Sequence, residues 1–254
     1  MIMEQRGMDQ LGVYSVLARK LLIASVGNGL IVPEFTGSHA IFGDGIAGFI
    51  EIYSSGTLTF SKKTIVDVYV MGSGLKGANG SETTSGTTYY EYGGAGGKGA
   101  KGASYTGIEA MGDYAITIAA TCSSTSTANA SSAFGNSVRA TGASGGAGSN
   151  ASYGTNGKNG SSGVSIPFGD SANFPTNYGG GGGGGGGSKY DSSIAVGSSY
   201  MPGSGGSVGG GSGASTSAAG AGGSNTGGGG GGGHGTRLNG ANGGSGLVIV
   251  KWGF

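Results

Sequence analysis

Gly227-Gly228-Gly229-Gly230-Gly231-Gly232-Gly233 is a run of seven glycines ending on His234, and residues 179–187 are nine glycines without a break. How such runs are read decides the fold. A collagen reading draws on glycine at every third residue in three places: 93, 96, 99 and 102; 154, 157, 160 and 163; and 240, 243 and 246. Collagen needs that frame unbroken and rich in proline. Here it lapses after three or four triplets, and the whole chain has four prolines, so collagen is excluded. A disordered linker is the usual fate of Gly/Ser-rich sequence. Against it, strand-like apolar pieces recur at 114–119, 165–168 and 194–196, and the chain ends on Leu247-Val248-Ile249-Val250-Lys251-Trp252.

The remaining reading is a packed set of extended, left-handed, threefold glycine helices. A polyproline II segment has three residues per turn and no internal hydrogen bonds, so its backbone groups must bond sideways. At ~3.1 Å per residue the longer run would span roughly 28 Å. Ordering glycine costs about 0.5–1 kcal/mol per residue beyond alanine, and each net hydrogen bond returns about 0.5–1.5 kcal/mol. Such segments are stable only as a set in which most bonds are made.

The chain changes character near Met71: nine of its 65 glycines fall in residues 1–70. Residues 8–24 space Leu11, Tyr14, Leu17 and Leu21 three or four apart behind Asp9, which predicts a short amphipathic helix. It serves either attachment and oligomerisation or the covering of a strand core. From Ala40 the chain reads as β, with pieces at 46–53 and 56–60 joined through Ser54-Ser55 and the clearest strand at 64–71. The expected fold is therefore mainly β with packed polyglycine II helices: a small β-sandwich-like part joined to a glycine-rich helical bundle, preceded by the short helix. Residues 1–40 form an attachment or oligomerisation segment. Residues 41–254 form the β and glycine-rich domain, which closes with the strand Leu247–Trp252.

Several functions find little support. Net charge is +1, and no basic patch is dense enough to neutralise nucleic-acid phosphates. No apolar stretch is long enough to span a bilayer as a helix. Residues 19–25 resemble a signal peptide only faintly, because Asn28 and Gly29 interrupt the apolar run. The single Cys122 forms no intrachain disulfide. Gly72-Ser73-Gly74-Leu75-Lys76-Gly77 matches a dinucleotide fingerprint, with Glu91 at the expected distance, but the following Ala78-Asn79-Gly80-Ser81 does not start the helix that chemistry needs. His39 and His234 stand apart without metal-ligand spacing, and no nucleophile elbow is evident. No enzyme, cofactor or metal is expected. His234 is expected at the surface of a polar loop, with ligand contact as the alternative.

The order of pieces resembles a known family. Ser55-Gly56-Thr57-Leu58-Thr59-Phe60 and Val66-Asp67-Val68-Tyr69-Val70 run into glycine. Gly112-Asp113-Tyr114-Ala115-Ile116-Thr117-Ile118 and Ser132-Ala133-Phe134-Gly135 follow, then a long glycine run, then Gly243-Gly244-Ser245-Gly246-Leu247-Val248-Ile249-Val250. Over residues 45–254 this resembles glycine-rich domain proteins of phage and prophage structural modules. In composition it is similar to the polyglycine-helix adhesins at tail-fibre tips. In relatives the strand after Val70 meets a longer glycine run, so the first glycine segment here is expected to be short or irregular.

The resemblance implies a virion protein on the tail or head surface, made in the host cytoplasm, partnered by other phage structural proteins and by a host cell-surface protein or glycan. Its form is either a homotrimer or a single copy on a trimeric shaft. The alternatives are an architectural head fibre or decoration protein and a bacterial surface protein. Recognition is expected in loops between glycine segments. These are 79–92 with Tyr89, Tyr90 and Tyr92; 164–178 with Phe168, Phe174 and Tyr178, stiffened by Pro167 and Pro175; 188–202 with Tyr190, Tyr200 and Met201; and 234–239 with His234. Aromatic rings with polar tips suit sugars or protein loops. Alternatively they cap the ends of the bundle.

Overall fold

The computed structural model describes residues 31–43, 45–134, 138–140, 156–161, 164–165, 177–178, 188–191, 194–199, 201–206, 208–214, 217–235 and 238–253. The expected helix over 8–24, with Leu11, Tyr14, Leu17 and Leu21, and the nine glycines of 179–187 lie outside them. Fourteen strands and no helix occur among the described residues. They are β1 (Glu34–Phe35), β2 (His39–Gly43), β3 (Gly48–Ile52), β4 (Gly56–Met71), β5 (Ser81–Ser85), β6 (Thr88–Tyr92), β7 (Ala103–Ile116), β8 (Ser131–Ala133), β9 (Val138–Ala140), β10 (Val164–Ser165), β11 (Asn177–Tyr178), β12 (Ser188–Asp191), β13 (Ile194–Ser199) and β14 (Leu247–Trp252).

The small β part is one antiparallel sheet that nearly closes on itself. Its order is β1-β4-β14-β3-β2, with β7 on the other edge of β4. The near-closure arises because β1 pairs with the first half of β4 while β2, four residues on, pairs with β3. The separate strands expected at 56–60 and 64–71 are one strand of 16 residues. A bulge between Phe60 and Thr64 absorbs Ser61, Lys62 and Lys63 in solvent, and the apolar alternation resumes beyond it. A second register shift follows Val66, where Gly107 takes φ 70° and its N–H donates to the Asp67 carboxylate at 2.9 Å. The strand expected at 114–119 is the tail of β7, whose partner β4 rather than its own pattern selects it. The strand expected at 46–53 is shorter, Gly48–Ile52.

Alternation sorts the core onto two faces. Leu58, Phe60, Val66, Val68 and Val70 of β4 join Ile50, Ile52, Val248, Val250 and Trp252 in one cluster, on which Ala133, Phe134, Val138 and Ala140 of the β8–β9 hairpin also pack. Tyr69 and Met71, the alternate residues of β4, meet Leu247, Ile249 and Ala100 on the other face. β14 is buried on both faces, so it reads as a continuous apolar run.

Beyond the sheet the chain continues as extended segments that bond sideways. The seven glycine carbonyls of 227–233 all accept hydrogen bonds, in threefold rotation. Those of Gly227, Gly230 and Gly233 accept from Ala100, Gly97 and Gly94. Those of Gly228 and Gly231 accept from Gly244 and Ala241, and those of Gly229 and Gly232 from Gly211 and Ala214. The N–H groups of Gly230 and Gly233 donate to Leu75 and Ala78. Four neighbouring segments, 72–80, 93–102, 208–214 and 238–246, thus surround 227–233. With more than one bond per glycine, at about 0.5–1.5 kcal/mol each, the ordering cost of about 0.5–1 kcal/mol per glycine is offset.

Close packing explains the composition. A Cβ added to Gly228, Gly230, Gly231, Gly232 or Gly233 would collide with the carbonyl oxygen of Gly209, Ala241, Ser212, Gly94 or Leu238 respectively. Glycine is therefore required in all three frames of the central segment. In 93–102, two frames are buried and the third, Ala95, Lys98 and Lys101, faces outward. The collagen-like triplets are this geometry: the Gly240, Gly243 and Gly246 frame lies against the carbonyls of Gly77, Gly74 and Met71. Contrary to expectation, the first glycine segment is regular. The N–H groups of Gly74 and Gly77 reach 238–246, those of Leu75 and Ala78 reach 93–102, and those of Ser73 and Lys76 reach Asn129 and Ser124.

Candidate functional site

Two long hairpins carry the chain from the sheet to the far end of the glycine array. In the first, Val70 faces Ala103 in the sheet, Leu75 bonds Lys98 and Ala78 bonds Ala95 in the array, and Ser81 faces Tyr92 beyond it. From Val68 to Ser85 the paired residue numbers keep one constant sum. β4, 72–80 and β5 are thus one arm, and β6, 93–102 and β7 the other. The hairpin turns at Gly86, whose φ of 59° suits a residue without Cβ. In the second hairpin, Gly228 bonds Gly244, Gly231 bonds Ala241, and His234 exchanges both backbone bonds with Leu238. Both hairpins turn at the same end. The nine residues of 72–80 separate that tip from the sheet.

At the tip, β5 and β6 join β12 and β13 in a four-stranded sheet of order β13-β12-β6-β5. Tyr190 opposes Tyr89 and Lys189 opposes Tyr90. The stretches 79–92 and 188–202, expected as loops, are therefore largely strands. Their mutual pairing, across about a hundred residues of chain, supplies the order that their polar sequences do not announce. Tyr90 and Tyr92 share one face of β6, opposite Thr83 and Ser81 of β5. The Thr83 hydroxyl reaches that of Tyr92 at 3.5 Å. All three β6 tyrosines are half-buried.

Tyr89 and Glu91 occupy the other face. Glu91 stands directly across from Glu82, an unfavourable pairing of like charges. Nε2 of His234 lies 3.3 Å from Oε2 of Glu91, and both side chains are nearly inaccessible to water. The expectation of a surface position for His234 is therefore wrong. The seven glycines deliver it into the seam where the tip sheet meets the array: it bridges to Gly93, and the N–H of Gly235 donates to the Tyr92 carbonyl. A Cβ on Gly235 would strike the Glu91 carboxylate.

Of the residues singled out by sequence, Tyr89, Tyr90, Tyr92, Tyr190 and His234 come together at the tip. Tyr178 is not in the tip sheet but in β11, opposite Val164. Met201 is 74% exposed, and its N–H donates to Asn156 Oδ1. Phe168, Phe174 and Tyr200 lie outside the described residues. Sequence reading passed over Glu91 as part of a nucleotide-fingerprint match that it set aside. Its signal was alternation: in Thr88-Tyr89-Tyr90-Glu91-Tyr92 an acid replaces an aromatic on one face of a strand. Compared with family models, with curated proteins and with solved structures, the chain matches none.

Proposed function

We propose that the glycine segments are packed polyglycine II helices and that the chain is a bacteriophage structural protein, a tail-fibre or baseplate adhesin. It is held by residues 1–40 to other phage proteins and meets a host cell-surface protein or glycan at its tip. The threefold rotation of hydrogen bonds around 227–233 supports the helical form, since three residues per turn aim successive carbonyls at three neighbours.

The observation that carries the functional reading is the separation of two ends. The first described residues, 31–43, belong to the sheet end: Ile31 bonds Gly45, and β1 and β2 pair with β4 and β3. The tyrosine-bearing hairpin stands at the opposite end of an array held by backbone bonds. Attachment at one end leaves the other free to touch a surface. At that tip Tyr90 and Tyr92 sit across from hydroxyl residues, a combination suited to stacking on and bonding with sugars or protein loops.

Immunogold labelling of phage particles with antibody against the chain tests the location, and exchange of residues 81–92 tests the role. Gold at the distal tail, with an altered host range on exchange, is the expected result. Gold on the head, with exchange silent, would replace this reading by an architectural one.

A further inference from the structure

Asn-Gly steps occur at Asn79, Asn156, Asn159, Asn239 and Asn242 among the described residues, and all five asparagines are exposed. Such a step can cyclise on itself: the following amide nitrogen attacks the asparagine Cγ. Two groups decide whether the fold permits this. The glycine N–H must be free to lose its proton, and a donor on Oδ1 polarises the carbonyl that is attacked.

The array ties up four of the five glycine N–H groups. Gly157 donates to the Met201 carbonyl, Gly160 to Ser204 and Gly243 to Cys122, while Gly240 donates to Oδ1 of Asn79 at 3.1 Å. Only the N–H of Gly80 has no acceptor among the described residues. Asn156 and Asn159 also have polarised side chains, accepting from the N–H groups of Met201 and Ser204, but their glycines are blocked. Asn79-Gly80 alone combines a free nucleophile with a polarised electrophile.

We propose that Asn79 is a self-modifying site, converted in the folded protein to aspartyl and isoaspartyl products. The Gly80 nitrogen gives its proton to solvent base and forms a bond to Asn79 Cγ. The Cγ–Nδ2 bond breaks, and Nδ2 leaves as ammonia after taking a proton from water. Water then opens the cyclic imide at either carbonyl, and no oxidation or reduction occurs. The isoaspartyl product adds one backbone carbon where the first hairpin passes from the array into β5, and both products place a carboxylate there.

The full chain is incubated at mildly alkaline pH, folded and in guanidinium, and sampled by peptide mapping with mass spectrometry. In the folded chain Asn79 is converted at least about tenfold faster than Asn156, Asn159, Asn239 or Asn242, and in guanidinium the five react at similar rates. Equal rates in the folded chain overturn the proposal. So does an unreactive Asn79 in the folded chain, or the same preference for Asn79 after unfolding, since local sequence rather than the fold would then set the rate.

Discussion

The first hairpin contains two kinds of order, and from Val68 onward a single pairing register runs from one into the other. Where β4 faces β7, side chains alternate and the buried material is Leu58, Phe60, Val66, Val68 and Val70. Where 72–80 faces 93–102, the frame is threefold and the buried material is backbone, packed closely enough that a methyl group at Gly74, Gly77, Gly94 or Gly97 meets a carbonyl. The sheet tolerates little removal of mass, and the array tolerates little addition. One chain thus obeys opposite packing rules a few residues apart, and Met71-Gly72 is where they exchange.

That contrast can be broken from either side. Trp252→Ala removes a fully buried ring from the sheet and is expected to cost about 3–5 kcal/mol in chemical denaturation. Gly231→Ala adds one methyl against the Ser212 carbonyl and should cost about 1–3 kcal/mol by the same measurement. If it proves as mild as a surface change, the array does not bury its backbone as described.

Two titrations sharpen the comparison at the seam between sheet and array. Burial pushes the Tyr69 hydroxyl up to about 12, against a smaller opposing effect of the Gly102 backbone. The unfolded chain ionises this group near 10 while the folded chain holds its proton. Stability is therefore full below pH 10 and falls as pH rises towards 12, by about 2 kcal/mol. Tyr69→Phe should remove that part of the alkaline loss, read as Tm against pH.

Glu51 shares the same face of the sheet, and burial raises its carboxyl above 4.5 although the Tyr53 hydroxyl donates to it. Its contribution to stability is present below that value and is lost as pH rises through the raised one. Glu51→Gln should flatten the Tm profile above pH 4.5 and leave neutral-pH stability equal or higher. The smallest effect is expected at Lys98, in the outward frame of 93–102. Lys98→Ala should change stability by less than about 0.5 kcal/mol, which sets the baseline against which Gly231→Ala is judged.

How much of this was legible in the sequence follows the range of the interactions. β14 could be read to the residue, because a strand buried on both faces is an unbroken apolar run. The sideways bonding of 227–233 was legible too, since a run of glycine has nothing else to offer. The want of a helix after the fingerprint-like stretch 72–77 was legible as well: residues 72–80 run along the array. What escaped was non-local. Ser81-Glu82-Thr83-Thr84-Ser85 carries no apolar alternation, and it becomes a strand because β6 lies beside it and β12 beside β6. The polar surroundings of His234 pointed to solvent, whereas the run before it has one place to end, beside Glu91. For the candidate site, the tyrosines were visible as residues, but their meeting on one sheet was not.

The constant pairing between 72–80 and 93–102 makes the array a measuring rod with one graduation per three residues. Adding a triplet to every arm would move the tip outward by one graduation and return each glycine to an equivalent neighbour. Adding one or two residues to an arm would turn all its later glycines away from the carbonyls they fit. Length in such a molecule is quantised: its reach changes in whole triplets, in all arms together.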